Sequence, residues 1–376
     1  MFGNKILGFG LMRLPLTNPD VPSSIDIDLL CQMVDKYLEN GFTYFDTAWM
    51  YMDHTSENAV KTCIVDRHPR DSFTITSKMP AYMINSFEDR DILFNKQLEK
   101  TGAEYFDFYL LHDVNSGSIK NFDKYDVWGY VKKLKDDGKI KHYGFSFHDG
   151  PELLDDLLNK HPDVEFVQLQ INYLDWESLG VRSRECYEVA RAHGKDIIVM
   201  EPVKGGTLAK LPEQAEELFK SHDANYSIPS WAVRFSASMP GVKLVLSGMT
   251  YMDQLENNMS YMSDFTPLNK EEIDMCLKAA DIINKSITIP CTGCSYCTVN
   301  CPMKIDIPRF ISLYNADIQE VEGKGWTPQM GLYESMAFKQ TTPADCIKCG
   351  ACESMCPQHL HIRDYLVDID NHFKEE

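Results

Sequence analysis

The chain has 376 residues, 44% of them apolar, enough to bury one domain of barrel size and a second, smaller one. Its formal charge of −19 argues against nucleic acid and anionic membrane surfaces as partners. Such an acidic exterior serves solubility, or docking on a basic redox partner, and a cytoplasmic location is expected. No stretch of about 18 apolar residues occurs, and MFGNKILGFG lacks the charged start and long apolar run of a leader, so neither a membrane span nor a signal peptide is expected.

Eight short apolar runs follow one another: 6–10, 43–48, 73–79, 106–114, 142–148, 166–173, 196–202 and 243–249. They are rich in β-branched and aromatic residues and nearly continuous in apolarity, as strands buried on both faces of a parallel sheet are. Amphipathic stretches lie between them. In 28–41 the residues Leu29, Leu30, Met33, Val34 and Tyr37 share one face, and Gly41 closes the helix; Gly102 closes another over 91–102. Alternating strands and helices predict a (β/α)8 TIM barrel over residues 1–285. A doubly wound sheet would carry a Gly-rich fingerprint after its first strand, and none is present.

The pattern changes after residue 285. Cys291-x2-Cys294-x2-Cys297-x3-Cys301-Pro302 is followed by Cys346-x2-Cys349-x2-Cys352-x3-Cys356-Pro357, and these runs hold eight of the 12 cysteines. Three thiolates at this spacing can cap three iron corners of one cube, while the fourth, held off by the extra residue and the Pro, reaches a second cube. Structural zinc would want two C-x2-C pairs, and disulfides an oxidising compartment to which nothing in the sequence points. The runs resemble those of two-cluster bacterial ferredoxins. The resemblance implies one 4Fe–4S cluster on Cys291, Cys294, Cys297 and Cys356, and another on Cys346, Cys349, Cys352 and Cys301. Between the runs, 306–321 reads as a helix and 323–331 as a loop. The long separation suggests a small, mostly helical ferredoxin-like iron–sulfur domain over 286–376.

In a barrel, polar residues at the C-terminal ends of strands read as functional. Here these are Asp46, Lys78, His112, Ser146 with His148, Gln168 with Gln170, Glu201 and Ser247. Carbonyl reduction by hydride requires a proton for the developing alkoxide. A tyrosine with a pKa of about 10 holds its proton too tightly at neutral pH. A neighbouring ammonium lowers that value, a carboxylate can position the ammonium, and a histidine can donate to the substrate oxygen. Asp46-Thr47-Ala48-Trp49-Met50-Tyr51, Thr76-Ser77-Lys78 and Leu110-Leu111-His112 resemble the signatures of aldo-keto reductases. The resemblance covers residues 1 to about 285. It implies Tyr51 as general acid/base, tuned by Lys78 and Asp46, with His112 orienting the substrate.

The same resemblance implies an extended NADP(H) or NAD(H) across the barrel mouth. Ser146 and Gln168 would face the carboxamide; Gly205, Gly206, Leu208, Ser247, Gly248, Gln254 and Asn258 would line the rest. Three contacts depart from the pattern. Phe147 stands in place of Asn, Met200 in place of a stacking aromatic, and Tyr251 in place of the base that grips the 2′-phosphate. A flavin is the alternative, since it can split a hydride's two electrons for one-electron clusters. Cys31, Cys63, Cys186 and Cys276 read as small core residues, His359 and His361 as surface groups, and Lys132, Lys133, Lys135, Lys139 and Lys141 as a solvated face. The expectation is an iron–sulfur oxidoreductase that reversibly reduces a carbonyl, or an activated double bond, of a small organic substrate, with a redox partner protein for its clusters. The rival is an electron-transfer or redox-sensing protein whose barrel is a docking scaffold.

Overall fold

The computed structural model describes residues 2–3, 5–285, 288–319 and 326–374. Eight parallel strands close on themselves in sequence order: β1 (Leu7–Gly10), β2 (Tyr44–Asp46), β3 (Thr74–Pro80), β4 (Phe106–Val114), β5 (Ile140–Phe147), β6 (Phe166–Gln170), β7 (Asp196–Met200) and β8 (Val242–Gly248). Each predicted apolar run overlaps one of them, with ends shifted by no more than a few residues. Inside the ring, Tyr44, Phe108, Leu110, Phe166, Ile198 and Leu244 form a packed plug, with Phe2 stacked on Phe108 at 5.0 Å. The interior is therefore a core, and polar chemistry is confined to the rim.

The outer helices bury one stripe each. Ile27–Glu39 starts at Asp26, whose carboxylate accepts from Leu29 N at 3.0 Å, and it buries Leu30, Met33, Val34 and Tyr37 while Leu29 stays at the margin. Glu88–Thr101 ends at Gly102 in the left-handed conformation. Among the described residues no helix is long and apolar enough to cross a membrane.

Beyond residue 288 the chain is helical, with Ile307–Ile318, Pro328–Lys339 and Ile362–His372 packed around Phe310, Leu313, Tyr333, Met336 and Leu366. Two single turns, Tyr296–Val299 and Ala351–Met355, carry the middle of each cysteine run. The predicted loop 323–331 is corrected in part. Residues 320–325 lie outside the described residues, but 328–331 are the first turn of a helix. Thr327 caps it by accepting from Met330 N, and Pro328 occupies the first helical position, where its missing N–H costs nothing.

This module is seated on the C-terminal end of the barrel. Val181, after β6, belongs to the module's own apolar core. Gly180 N donates to Ser312 Oγ at 3.1 Å, and a Cβ on Gly180 would lie 2.9 Å from Leu313 N, so only glycine lets the two backbones approach. After β7, Thr207 Oγ1 donates to Gln319 O at 2.7 Å. The strongest fastening is Asp149, after β5: its buried carboxylate accepts from Lys339 Nζ at 2.7 Å, from Ser335 Oγ, and from Ser116 N and Oγ at 2.9 and 2.6 Å. Burial opposes the charge of Asp149, but these donors outweigh it and hold the carboxyl below its usual range.

Candidate catalytic pocket and iron–sulfur sites

Barrel register brings together residues far apart in sequence. Asp46 pairs with Thr76 across β2 and β3, and Pro80 with His112 across β3 and β4. Lys78 lies two residues beyond Thr76 on the same strand face, level with the Asp46 side chain. Its ammonium is fully buried and spends all three protons: on Asp46 Oδ1 at 2.5 Å, Thr47 O at 2.9 Å and Tyr51 Oη at 3.1 Å. Gln97 braces the strand from behind by donating to Lys78 O at 3.0 Å. Tyr51 is presented by a sharp turn in which Met52, Asp53 and His54 are all left-handed, an arrangement that costs roughly 1–2 kcal/mol per non-glycine residue. Its ring lies edge-on to His112 at 5.9 Å. The four predicted residues thus meet at one place.

Their electrostatics differ from the sequence expectation in one respect. Burial is the largest influence on the Tyr51 phenol and pushes it above its usual value; Lys78 pulls it down, and Asp46 and Glu201 push it up. The ammonium therefore offsets desolvation without bringing the phenol toward neutrality. Lys78 itself is desolvated, yet Asp46 and Tyr51 together raise its pKa and keep it cationic. Burial also lifts the Asp46 carboxyl against the pull of Lys78. Burial, with Lys78 and His148 nearby, holds His112 well below the usual imidazole range, so at neutral pH it is an uncharged donor. His148 is lowered by burial as well, with Asp113 and Glu201 opposing.

The residues expected along a dinucleotide are spread around the same rim. Ser146 is buried at the end of β5, where its Oγ accepts from Asp113 N at 2.8 Å; Gln168 is buried beside it and reaches Asp46 Oδ2 at 3.4 Å. Ser247 is buried and Gly248 exposed at the end of β8. Gly205 and Gly206 are left-handed, while Leu208 points into the core and can offer only its backbone. Gln254 accepts from Thr250 N and Tyr251 N in a helix cap, and Asn258 donates to Gln254 O and accepts from Tyr261 Oη. Tyr251 is exposed.

Two features here had no sequence signal. Arg13, after β1, bridges to Glu201 at the end of β7 with Nη1 3.1 Å from Oε1, and its side chain lies against Gly248. Glu201 Oε2 also accepts from Gly205 N at 2.8 Å, so a carboxylate holds the glycine turn expected to face a phosphate. Lys204, the nearest lysine to that turn, is buried and paired with Asp175 at 2.9 Å. On the opposite side, Trp326 of the module lies 6.2 Å from His148.

The cysteines line two separate cavities. One is bordered by Cys291, Cys294, Cys297 and Cys356 with Ile307, Pro308, Ile311 and Ile362. The other is bordered by Cys301, Cys346, Cys349 and Cys352 with Ile305, Ile347 and Leu366. Each cavity takes three cysteines from one run and the fourth from the other. Among the described residues no three His, Cys, Asp or Glu side chains converge on one point as ligands of a single ion do. Four thiols spread around an apolar hollow suit a cubane, whose corners stand apart. Burial pushes the Cys352 thiol up to about 11. Lys348 N donates to Cys346 Sγ at 3.4 Å. Of the remaining cysteines, Cys63, Cys186 and Cys276 are buried, and Cys31 is half-buried with its Sγ 2.7 Å from that of Cys63.

A closed parallel barrel with a polar rim over a filled interior, and a helical module with eight cysteines around two hollows, define an oxidoreductase with an iron–sulfur domain. The aldo/keto reductase family model matches residues 6–281 and the 4Fe-4S dicluster domain model residues 290–362, so the chain belongs to the aldo/keto reductase family. It is similar to an aldo-keto reductase of Mycolicibacterium vanbaalenii, 30% identical over 48% of this chain and 61% of that protein. It is also similar to the uncharacterized oxidoreductase YqkF of Bacillus subtilis, 23% identical over 64% of this chain and 84% of the relative. A third relative, glyoxal reductase of Bacillus subtilis, is 33% identical over 33% of this chain and 44% of that protein. The same fold is seen in the holo form of an aldo-keto reductase from Bacillus halodurans (TM-score 0.57, 22% identity, 73% of this chain and 91% of that one). A Klebsiella pneumoniae aldo-keto reductase in complex with NADPH also shares it (TM-score 0.56, 18% identity, 74% and 90%).

Proposed function

We propose that the barrel, residues 1–285, reduces the carbonyl or activated double bond of a small organic substrate with Tyr51 as general acid, and that residues 286–376 carry two 4Fe–4S clusters. The observation that supports the barrel chemistry most is the chain of contacts Asp46–Lys78–Tyr51, with Lys78 Nζ 3.1 Å from the phenol oxygen. A nicotinamide, when bound, supplies the hydride. Ser146 and Gln168 would hold its carboxamide, and neutral His112 donates to the substrate oxygen. As negative charge grows on that oxygen, Tyr51 gives up its proton, and Lys78 stabilises the phenolate it leaves behind. Asp46 keeps Lys78 aimed at Tyr51. Crossed ligation of the clusters is supported by the two cavities, each with three cysteines of one run and one of the other.

A second reading is favoured by the phosphate end. Glu201 occupies the N–H of Gly205, and Thr207 is tied to Gln319 of the module. A dinucleotide phosphate there would meet a carboxylate unless Arg13 left it for the ligand. A purely electron-carrying role avoids that conflict; a flavin, which carries a phosphate too, is favoured instead by its ability to pass single electrons to clusters in series with it. Absorption spectra of anaerobically purified protein before and after NADPH distinguish the readings. NADPH oxidation with glyoxal present, with the cluster absorbance left unbleached by NADPH, supports nicotinamide-driven reduction. A flavin spectrum in the purified protein supports the second reading.

A further inference from the structure

We propose that His148 of the barrel and Trp326 of the module form a subsite for a second polar group of the substrate, a hydroxyl on the carbon next to the carbonyl. The inference rests on the carbonyl-reducing reading above and names the class of substrate within it, the hydroxy-aldehydes and hydroxy-ketones. It starts from an imidazole without a hydrogen-bond partner. His148 is 8% exposed, and neither of its ring nitrogens bonds to a described residue. Buried polar groups are normally paired, so an exception calls for an explanation. These nitrogens are not sealed in, as Trp231 Nε1 and His161 Nε2 are, so the polar edge is turned to an opening and not to the core.

His148 belongs to the same rim as the reacting groups. Along β5, Phe145 and Phe147 point outward into the core beneath the helices, so Gly144, Ser146 and His148 line the inner side. A Cβ on Gly144 would run into Phe166 of the plug. His148 N donates to Val114 O at 3.0 Å, which carries the ladder one residue past Phe147 and keeps the alternation. His112, on the neighbouring strand, has its ring against Tyr51 at 5.9 Å; it too is 8% exposed and has no side-chain hydrogen bond among the described residues. Burial keeps both imidazoles uncharged at neutral pH, against Asp113 and Glu201 in the case of His148, and the Lys78 ammonium acts on each in the same sense as burial. A neutral imidazole has one N–H and one bare nitrogen. A hydroxyl satisfies either, because it both donates and accepts; a carboxylate satisfies only the first and an ammonium only the second. Neighbouring strands stand about 4.8 Å apart, a spacing that suits two oxygens on adjacent carbons, the carbonyl oxygen on His112 and the hydroxyl on His148. The module supplies the wall. Trp326 stands edge-on to His148 at 6.2 Å and 66°, and it is seated on Gly331, where a Cβ would lie 3.2 Å from Trp326 Cζ2. Its apolar ring, 47% exposed, can cover a short carbon chain beside the hydrogen-bonding imidazole.

Anaerobic holoprotein with NADPH is given lactaldehyde and propanal, which differ only in the hydroxyl. Lactaldehyde should be preferred about tenfold in kcat/KM. His148→Phe should bring the ratio close to one, and His148→Gln, which can still bond a hydroxyl, should keep part of it. Trp326→Ala should raise KM for lactaldehyde severalfold with kcat nearly kept. A binding arm needs no turnover: saturation-transfer NMR compares propylene glycol with propanol on the wild type and on His148→Phe, and only the glycol should lose signal in the variant. No preference between the two alcohols or the two aldehydes in the wild type, or the same preference in His148→Phe, overturns the subsite. An unchanged KM in Trp326→Ala removes the module from it. Propanal and lactaldehyde reduced equally well would refute the subsite and leave the carbonyl reading standing. A His148-dependent glycol signal with neither aldehyde reduced would support the subsite and refute that reading.

Discussion

The barrel and the module assemble their chemistry in opposite ways. The barrel gathers Asp46, Tyr51, Lys78 and His112 from the ends of successive strands and fixes them by register, so the site exists wherever the barrel is closed. Its packing owes nothing to the groups it will bind. The module collects its cysteines from two short runs, and those cysteines are part of its core. Cys297 and Cys352 sit inside the apolar cluster, and Cys291, Cys301, Cys346 and Cys356 pack against it. One region is a scaffold that presents a site; in the other the site is the scaffold.

The hardest test of that contrast is removal of iron. Chelation under mild oxidation should unfold residues 288–374 and leave the barrel folded. Circular dichroism should lose part of its helical signal in one step, and protease should leave a barrel-sized fragment. A single transition that takes both regions together would contradict it. Next in size is Tyr51→Phe, which removes the proton donor and leaves the ring packing in place. Turnover on a carbonyl substrate should fall roughly 10²- to 10⁴-fold with the thermal midpoint unchanged. Unchanged turnover would remove Tyr51 from the mechanism. A smaller effect is expected at the joint between the regions. Asp149→Asn takes the charge from the hub that holds Lys339 and Ser335, and should weaken docking by about 1–3 kcal/mol. Faster hydrogen exchange along 328–339, with the barrel strands unaffected, would show it.

Tyr251→Arg probes how much the barrel keeps of a cofactor grip. One charge-assisted hydrogen bond is worth about 1.5–3 kcal/mol, or about one to two decades of affinity. NADP(H) should tighten by that amount and NAD(H) hardly at all. If the wild-type protein already prefers NADP strongly, the phosphate is held elsewhere, and Lys204 is excluded by its buried pairing with Asp175. The smallest effect is the pH dependence of stability. His112 and His148 are held below the usual imidazole value by burial, so the folded chain binds fewer protons than the unfolded one on the acid side. Stability should be full above about pH 7 and decline as pH falls through about 6.5, where unfolded histidines protonate. Urea midpoints at several pH values, compared with His148→Gln, would show a shallower slope in the variant, whereas equal slopes would mean that His148 titrates normally.

Sequence alone was enough for the architecture and for naming the four residues that meet at the barrel rim, because both are written in local pattern. Continuous apolar runs mark strands buried on two faces, so all eight strands were visible. Lys78 and His112 follow from strand ends, Tyr51 from the resemblance of residues 46–51 to the family signature, and the cysteine runs from spacing. The pattern failed at Pro328, which reads as a loop residue until a helix places it at its first turn. It also misjudged the Tyr51 phenol, because a neighbouring ammonium is legible in sequence and the desolvation that outweighs it is not. What only the tertiary structure decided are relations across long separations. Arg13 meets Glu201 because closing the barrel brings β1 and β7 to either side of β8. Asp149 meets Lys339, and His148 meets Trp326, because the module folds back over the rim. Periodicity and spacing describe what a segment does with its own neighbours; charge complementarity and docking depend on which distant segments share a surface, and chain closure sets that.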